Sequence, residues 1–250
     1  MSHFVPVAGF NHSLEGTTVV LPSVSIGNIP QLAIDLLIHT LGFQKIGTLD
    51  DRYLYPFASP VDLVDKALVG VSNAIEVYYS ETHNLVAIQQ RSPIIPSFVE
   101  TYVSEIVLPF ILGHKFAKVY VLDSSDAGLV ENVVQGRIDS YTSADFLNQS
   151  LESLNLNNQE PLAAPYSHLS YVRSLVSIPR KEEGFSSLDI NVLVTHVYEG
   201  DNFGDGEALA NELINVLGLA KVAKWNRPIS WLGVYGDKPV PIAMEQGLFG

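Results

Sequence analysis

Between Val19 and Leu41 the chain reads VVLPSVSIGNIPQLAIDLLIHTL, and this stretch constrains the fold more than any other. A buried strand from Val19 to Val24 runs into a tight turn at Ser25-Ile26-Gly27-Asn28 and then into a helix from about Ile29. Asn28 is the expected N-cap, since its short side chain can accept from the free N–H groups of the first turn, and Gln31 stands at the capping-box position three residues on. Pro30 falls where a missing N–H does no harm. Along the helix Ile29, Leu32, Ala33, Leu36, Leu37, Thr40 and Leu41 share one face, and Ile34 and Ile38 are apolar on a second. Only Gln31, Asp35 and His39 form a polar strip. A helix with so little polar surface has to be buried on its sheet and also against something else.

Further along, Gly42 is placed to stop this helix with positive φ. The first 18 residues read as an irregular arm, Lys45 to Asp50 as a short strand, and Asp51 to Val71 as broken by Pro56 and Pro60, with one short helix available at Val61 to Leu68. Ala74 to Tyr79 and Leu85 to Arg91 are strands joined by a polar turn, the spacing of a β-hairpin. Ser97 is a cap for a helix reaching about Leu112, in which Phe98, Tyr102, Ile106 and Phe110 recur at intervals of four. Pro109 should kink or end its last turn.

Lys118 to Leu122 is a short apolar run of the kind buried on both faces, followed by Asp123-Ser124-Ser125-Asp126-Ala127-Gly128 as a loop. The polar stretch from about 150 to 184, with Asn155, Asn157, Asn158 and three prolines, reads as an insertion or mobile loop with room for one short helix. Leu188 to Tyr198 is a strong strand, and a helix follows from about Asp205 to Leu217, stopped by Gly218. Strand, loop and helix thus recur at Val19, Lys118 and Leu188. The expected fold is α/β, an α/β/α sandwich with a mixed, mostly parallel sheet in a single domain, residues 1–250, ending in a flexible C-terminal tail at about 237–250. The hairpin is the reason for a mixed sheet.

Composition narrows the function. Of 250 residues 47% are hydrophobic and 16% charged, sparse for a free-standing surface. A formal net charge of -13 argues against phosphate backbones and anionic lipid, so nucleic acid is not an expected partner. Cysteine is absent, which excludes disulfides, thiolate nucleophiles and cysteine-ligated metal sites. With no charged leader and no long uncharged apolar run, neither secretion nor membrane spanning is expected, and the protein is placed in the cytoplasm or nucleus.

Ligands of open α/β sheets bind at the C-terminal ends of the strands, which points to Ser25–Asn28, Asp123–Asp126 and Glu199–Asn202. In an enzyme of the nucleoside phosphorylase or hydrolase kind, Asp123, Asp126, Glu199 and Asp201 would converge to hold a hard cation such as Mg²⁺. The same residues are ordinary turn and cap residues, and this simpler account is preferred. Ser25-Ile26-Gly27 lacks the glycines of a dinucleotide loop, no GxxxxGK[ST] occurs, and the seven histidines have no metal-ligand spacing. His196, near an acidic loop, is the one acid–base candidate. No catalytic, cofactor-binding or metal-binding residue is assigned.

LPSVSIGNIPQLAIDLLIHTL (Leu21 to Leu41), HVYEGDNFGDGEALANEL (His196 to Leu213) and KWNRPISWLGVYG (Lys224 to Gly236) resemble the proteasome assembly chaperone 2 family, across almost the whole chain. The resemblance implies a non-enzymatic chaperone that pairs with a homologous chaperone of the proteasome assembly chaperone 1 kind. The pair would bind the outer face of the 20S proteasome α-ring, guide ring formation and block premature association of activators. It also implies a C-terminal hydrophobic-tyrosine-any-residue tail that inserts between α-subunits, matched here by Leu248, Phe249 and Gly250. Phe249 lacks the tyrosine hydroxyl, which would weaken docking by about 1 kcal/mol if that hydroxyl otherwise bonds the pocket. An exposed Leu-Phe tip followed by a free carboxylate suits a pocket in its own right. On this reading the apolar surplus of the first helix, at Ile34 and Ile38, belongs to the heterodimer interface.

Overall fold

The computed structural model describes residues 3–62, 64, 70–129, 134–145, 170–181 and 188–231. Its strands are β1 (Phe4–Pro6), β2 (Thr18–Pro22), β3 (Gln44–Leu49), β4 (Ala58–Pro60), β5 (Val71–Asn73), β6 (Ile75–Ser80), β7 (Leu85–Gln90), β8 (Lys118–Asp126), β9 (Ile138–Thr142) and β10 (Ile190–Val197). An 8-stranded sheet has the order β1-β3-β6-β7-β2-β8-β10-β9, and β4 with β5 makes a separate ribbon. The strands β7, β2, β8 and β10 run parallel at the centre. Outside them the pairs β1–β3, β3–β6, β6–β7 and β10–β9 are antiparallel. The sheet is mixed, and its antiparallel share is larger than the one hairpin suggests, because β1 and β9 add edge strands too short to show a pattern.

Alternation along the central strands sorts side chains into two cores. Val19 and Leu21 of β2, with Val119 and Val121 of β8, pack on one face under α2 (Val99–Tyr102), α3 (Leu108–Gly113) and α4 (Ser170–Lys181). Val20, Tyr120 and Leu122 pack on the other under α1 (Ile29–Thr40) and α5 (Phe203–Leu217). The result is an α/β/α sandwich. Only α4 of the 150–184 stretch lies within the described residues, and most of the helix expected at Val61 to Leu68 lies outside them.

The helix α1 begins where expected, by a different device. Asn28 sits in the left-handed region at φ 50, after Gly27 at φ 68, and its side chain makes no capping bond. A strand that must turn at once into a helix reverses through left-handed residues, a conformation asparagine tolerates. Gln31 does not reach back to Asn28. Its Nε2 donates instead to the Ser23 carbonyl at 2.9 Å, tying the helix to the end of β2. The second surface that buries α1 is α5: a Cβ on Gly206 would stand 2.8 Å from the Leu32 Cβ, so glycine is what lets these helices approach.

Between α2 and α3 the backbone widens into a π turn, Val103–Val107, and the Leu108 N–H bonds the Val103 carbonyl. Pro109 therefore neither ends the helix nor breaks it. Ser97, expected as the cap, lies in a 3-10 turn (Pro96–Phe98) and caps nothing. The run KVYVL does not stop at Leu122 either: β8 continues through Asp126, so Asp123, Ser124 and Ser125 are strand residues, all buried.

Candidate interaction site

In a sheet of this topology the crevice for a ligand would open between β2 and β8, where the chain leaves in opposite directions. Here it is stitched shut. The Ser23 N–H donates to the Leu122 carbonyl at 2.8 Å, and the Ser23 hydroxyl bonds the Asp123 carboxylate. Ser25 and Ser124 hydroxyls meet at 2.7 Å, the Ser124 N–H donates to the Ser25 Oγ at 3.1 Å, and the Ser124 hydroxyl donates to the Ile26 carbonyl at 2.6 Å. Asp123 is fully buried, and among the described residues no cation bonds it. Desolvation pushes its carboxyl up to about 7, against the pull of the Ser23 hydroxyl and the Ser124 N–H, and its Oδ2 has no hydrogen-bond partner.

The four carboxylates that the enzyme alternative would bring together do not converge. Asp126 accepts from the Gly128 N–H at 2.8 Å, Asp201 accepts from the Phe203 N–H at 3.3 Å at the start of α5, and Glu199 is exposed. Among the described residues no group of three or more His, Asp or Glu side chains is arranged to hold a metal ion. His196 is fully buried, with Nε2 3.0 Å from Asp139 Oδ2 on β9, a cross-strand pair inside the sheet rather than a group facing a loop. Asn202, the last residue of the Glu199–Asn202 loop, closes it: its Nδ2 donates to the Tyr198 carbonyl at 2.9 Å and its Oδ1 accepts from the Gly200 N–H at 3.1 Å.

The polar strip of α1 adjoins open space. Asp35, 1% exposed, receives two bonds from the Arg91 guanidinium, at 2.6 and 2.8 Å, and one from Gln89 Nε2 at 2.7 Å. Arg91 in turn borders three adjoining clefts of about 240, 330 and 400 Å³. The largest lies against the β4–β5 ribbon, and the middle one is walled by Phe203 and Trp231. In the smallest, Lys45 pairs with the buried Glu76, which also accepts from the Tyr78 hydroxyl at 2.8 Å. Burial lowers the His39 pKa, outweighing the attraction of Asp35 and Asp62, so its ring is neutral at neutral pH. These charges are paired with one another and none is presented as a nucleophile or base. The Arg91–Asp35 pair was invisible in the sequence because its members stand far apart; the only hint was an aspartate in the middle of an apolar helix.

Ile34 and Ile38, expected at a partner interface, are 0% and 8% exposed and lie in the core beneath α1 and α5. The chain itself covers them, so the apolar surplus of the helix needs no partner. Leu248, Phe249 and Gly250 fall outside the described residues. No described helix is long and apolar enough to cross a membrane.

A model of the PAC2 family matches residues 19–187. The chain belongs to the PAC2 family. Proteasome assembly chaperone 2 of Saccharomyces cerevisiae is 30% identical to it, over 87% of this chain and 94% of the yeast protein. The Bos taurus protein of the same name is 29% identical, over 94% of this chain and 97% of its own length. Among solved structures, Pyrococcus furiosus PbaA, an archaeal homolog of proteasome-assembly chaperone, superposes with a TM-score of 0.62 at 16% identity, over 85% of this chain and 86% of that one. PbaB of the same organism, an archaeal proteasome activator, gives 0.62 at 14% identity, over 89% and 92%. At these identities the structural likeness speaks for the PAC2 fold alone.

Proposed function

We propose that the protein is a non-catalytic chaperone of 20S proteasome assembly. It pairs with a homologous chaperone of the proteasome assembly chaperone 1 kind, binds the α-ring surface, promotes correct ring formation and keeps activators off until the core particle is complete. Its Leu248-Phe249-Gly250 segment docks between α-subunits. The observation that carries this reading is the near end-to-end match to relatives named proteasome assembly chaperone 2, 94% and 97% of whose lengths are covered. The stitched β2–β8 crevice supports the non-catalytic part, since the place where this topology offers a ligand site is filled by hydroxyls bonded to one another. The dispersal of Asp123, Asp126, Glu199 and Asp201 removes the motive for the enzyme alternative.

Two measurements test it. Mass spectrometry of what copurifies with the chain at native concentration should find a homologous chaperone and α-subunits, and their absence would sink the assembly role. Deleting Leu248 to Gly250 should weaken binding to 20S core particles while leaving the thermal midpoint unchanged. Unchanged affinity would remove the tail's part and leave the scaffold's.

A further inference from the structure

Two segments that leave the large sheet meet beside α2. Leu54 and Ile94 form an antiparallel bridge, flanked by bonds from the Tyr55 N–H to the Pro93 carbonyl at 3.1 Å and from the Ile95 N–H to the Tyr53 carbonyl at 2.9 Å. Side chains alternate along such a pairing. Leu54, 4% exposed, and Ile94 turn to the core, so Tyr53, Tyr55, Pro93 and Ile95 share the outer face. Phe98 extends that face, stacked on the half-buried Tyr53 with ring centroids 5.3 Å apart and planes 26° from parallel. Tyr55 and Phe98 are 48% and 41% exposed. Single exposed apolar side chains are ordinary, but two exposed aromatics flanking a third ring on one face make a patch.

The fold does not account for the composition of this patch, since Leu54 and Ile94 already supply the inward contact and polar residues would serve on the outside. Its rim is acidic. In the two segments Asp51, Glu100 and Glu105 are exposed, whereas Arg52 is paired with Asp50 and Arg91 with Asp35. Glu105 stands at the edge of the rings, accepting from the Tyr53 hydroxyl at 2.6 Å. The Arg52 guanidinium lies 5.9 Å from the Tyr53 ring, so the chain itself shows these rings taking a guanidinium beside a carboxylate. Exposed rings within a carboxylate rim suit arginine, which stacks on aromatic faces and bonds carboxylates at once. A second copy of the chain would bring the same acidic rim and be repelled.

We infer that the Tyr53-Tyr55-Ile95-Phe98 face is where the body of the protein meets the α-ring, receiving a basic, arginine-bearing patch of an α-subunit. This rests on the chaperone role proposed above. Of the two kinds of protein that role involves, the α-ring is the one this face suits. Permanent pairs join through large, apolar interfaces, whereas the contact with the ring has to come apart once the core particle is complete. An interface that separates carries a small aromatic centre inside a polar rim.

The test is binding of the full chain, with its copurified partner, to purified 20S core particles. Tyr55→Ser with Phe98→Ser should weaken binding by about tenfold or more, as loss of aromatic anchors does. Asp51→Lys with Glu100→Lys changes two exposed side chains and keeps the rings; it should slow association by about five- to tenfold at low salt and by less at high salt. Glu81→Lys with Glu199→Lys makes the same change in net charge at exposed positions elsewhere and should cost no more than about twofold. Thermal midpoints show that each variant is folded. Parent-like binding by the first two variants overturns the inference, as does tighter binding by Asp51→Lys with Glu100→Lys, or an equal loss in the Glu81→Lys, Glu199→Lys pair. Loss of the copurified chaperone from the first two variants also overturns it, by giving the face to the other partner. If the parent itself does not bind core particles, the chaperone reading has failed and this inference falls with it.

Discussion

Asp35 and Asp123 are equally buried, on opposite faces of one sheet, and the protein treats them in opposite ways. Asp35 borders the clefts of the α1/α5 face and is gripped by Arg91 and Gln89. Asp123, under α2, α3 and α4, has hydroxyls and one backbone N–H for partners, and burial holds its proton on up to about pH 7. A carboxylate is tolerated in a core either with a cation in bonding geometry or without its charge. The first arrangement stands beside open space and the second seals a seam.

The comparison breaks most visibly at Arg91. Arg91→Met keeps the aliphatic bulk and leaves a buried carboxylate with Gln89 and no cation, which should cost about 3–5 kcal/mol of unfolding free energy in urea at pH 7. Adding Asp35→Leu should recover most of that loss. A single-variant cost near zero would mean that the pair adds nothing to the α1/α5 face.

Asp123 tests the other face through pH. Its proton is bound more tightly folded than unfolded, where the value is 3.8, so between about pH 4 and 7 the native state carries more protons. The stability from this group is complete below pH 4, declines as pH rises through the window and is gone above 7, a total of about 4 kcal/mol. Asp123→Asn should therefore be more stable than the parent at pH 8 and lose the difference on acidification to pH 4, as followed by thermal midpoints. A constant difference across that range would show that the carboxyl does not titrate there. Asp50 slopes the other way, its carboxyl held down to about 2 by Arg52, and because both proteins share it the subtraction removes it.

What could be read in the sequence divides along the same line. Periodicity located α1, the β6–β7 hairpin, β10 and α5, because each is long enough to display its apolar face. The apolar surplus of α1 demands a second covering surface, but nothing local distinguishes a partner chain from α5, so the sequence alone points Ile34 and Ile38 outward. Asp123-Ser124-Ser125 reads as a loop since polar residues rarely continue a buried strand; it is a strand because the hydroxyls of Ser23 and Ser25 wait on β2's exit. Arg91 and Asp35 meet only through the register of β7 against α1, which no spacing along the chain encodes.

The smallest effect separates two explanations for the π turn on the α2/α3/α4 face. Pro109 offers one: it lacks an N–H and crowds the carbonyl four residues back, so a wider turn relieves it. The interval-of-four pattern offers another. Tyr102, Ile106 and Phe110 span eight residues, which an α-helix turns through two circles and about 80° more, carrying the last away from the first. One π turn takes up most of that excess and returns Tyr102, Ile106 and Phe110 to the same core, where all three are at most 4% exposed. If the proline alone imposes the turn, Pro109→Ala should relax the helix and gain much of the roughly 3 kcal/mol by which alanine exceeds proline in a helix. If burial imposes it, relaxing would rotate Leu108, Phe110 and Ile111 out of the core, so the turn should persist and stability change by less than about 1 kcal/mol. We expect the second outcome, because the residues that would have to move are among the most buried in the chain, and urea unfolding of the single variant decides between them.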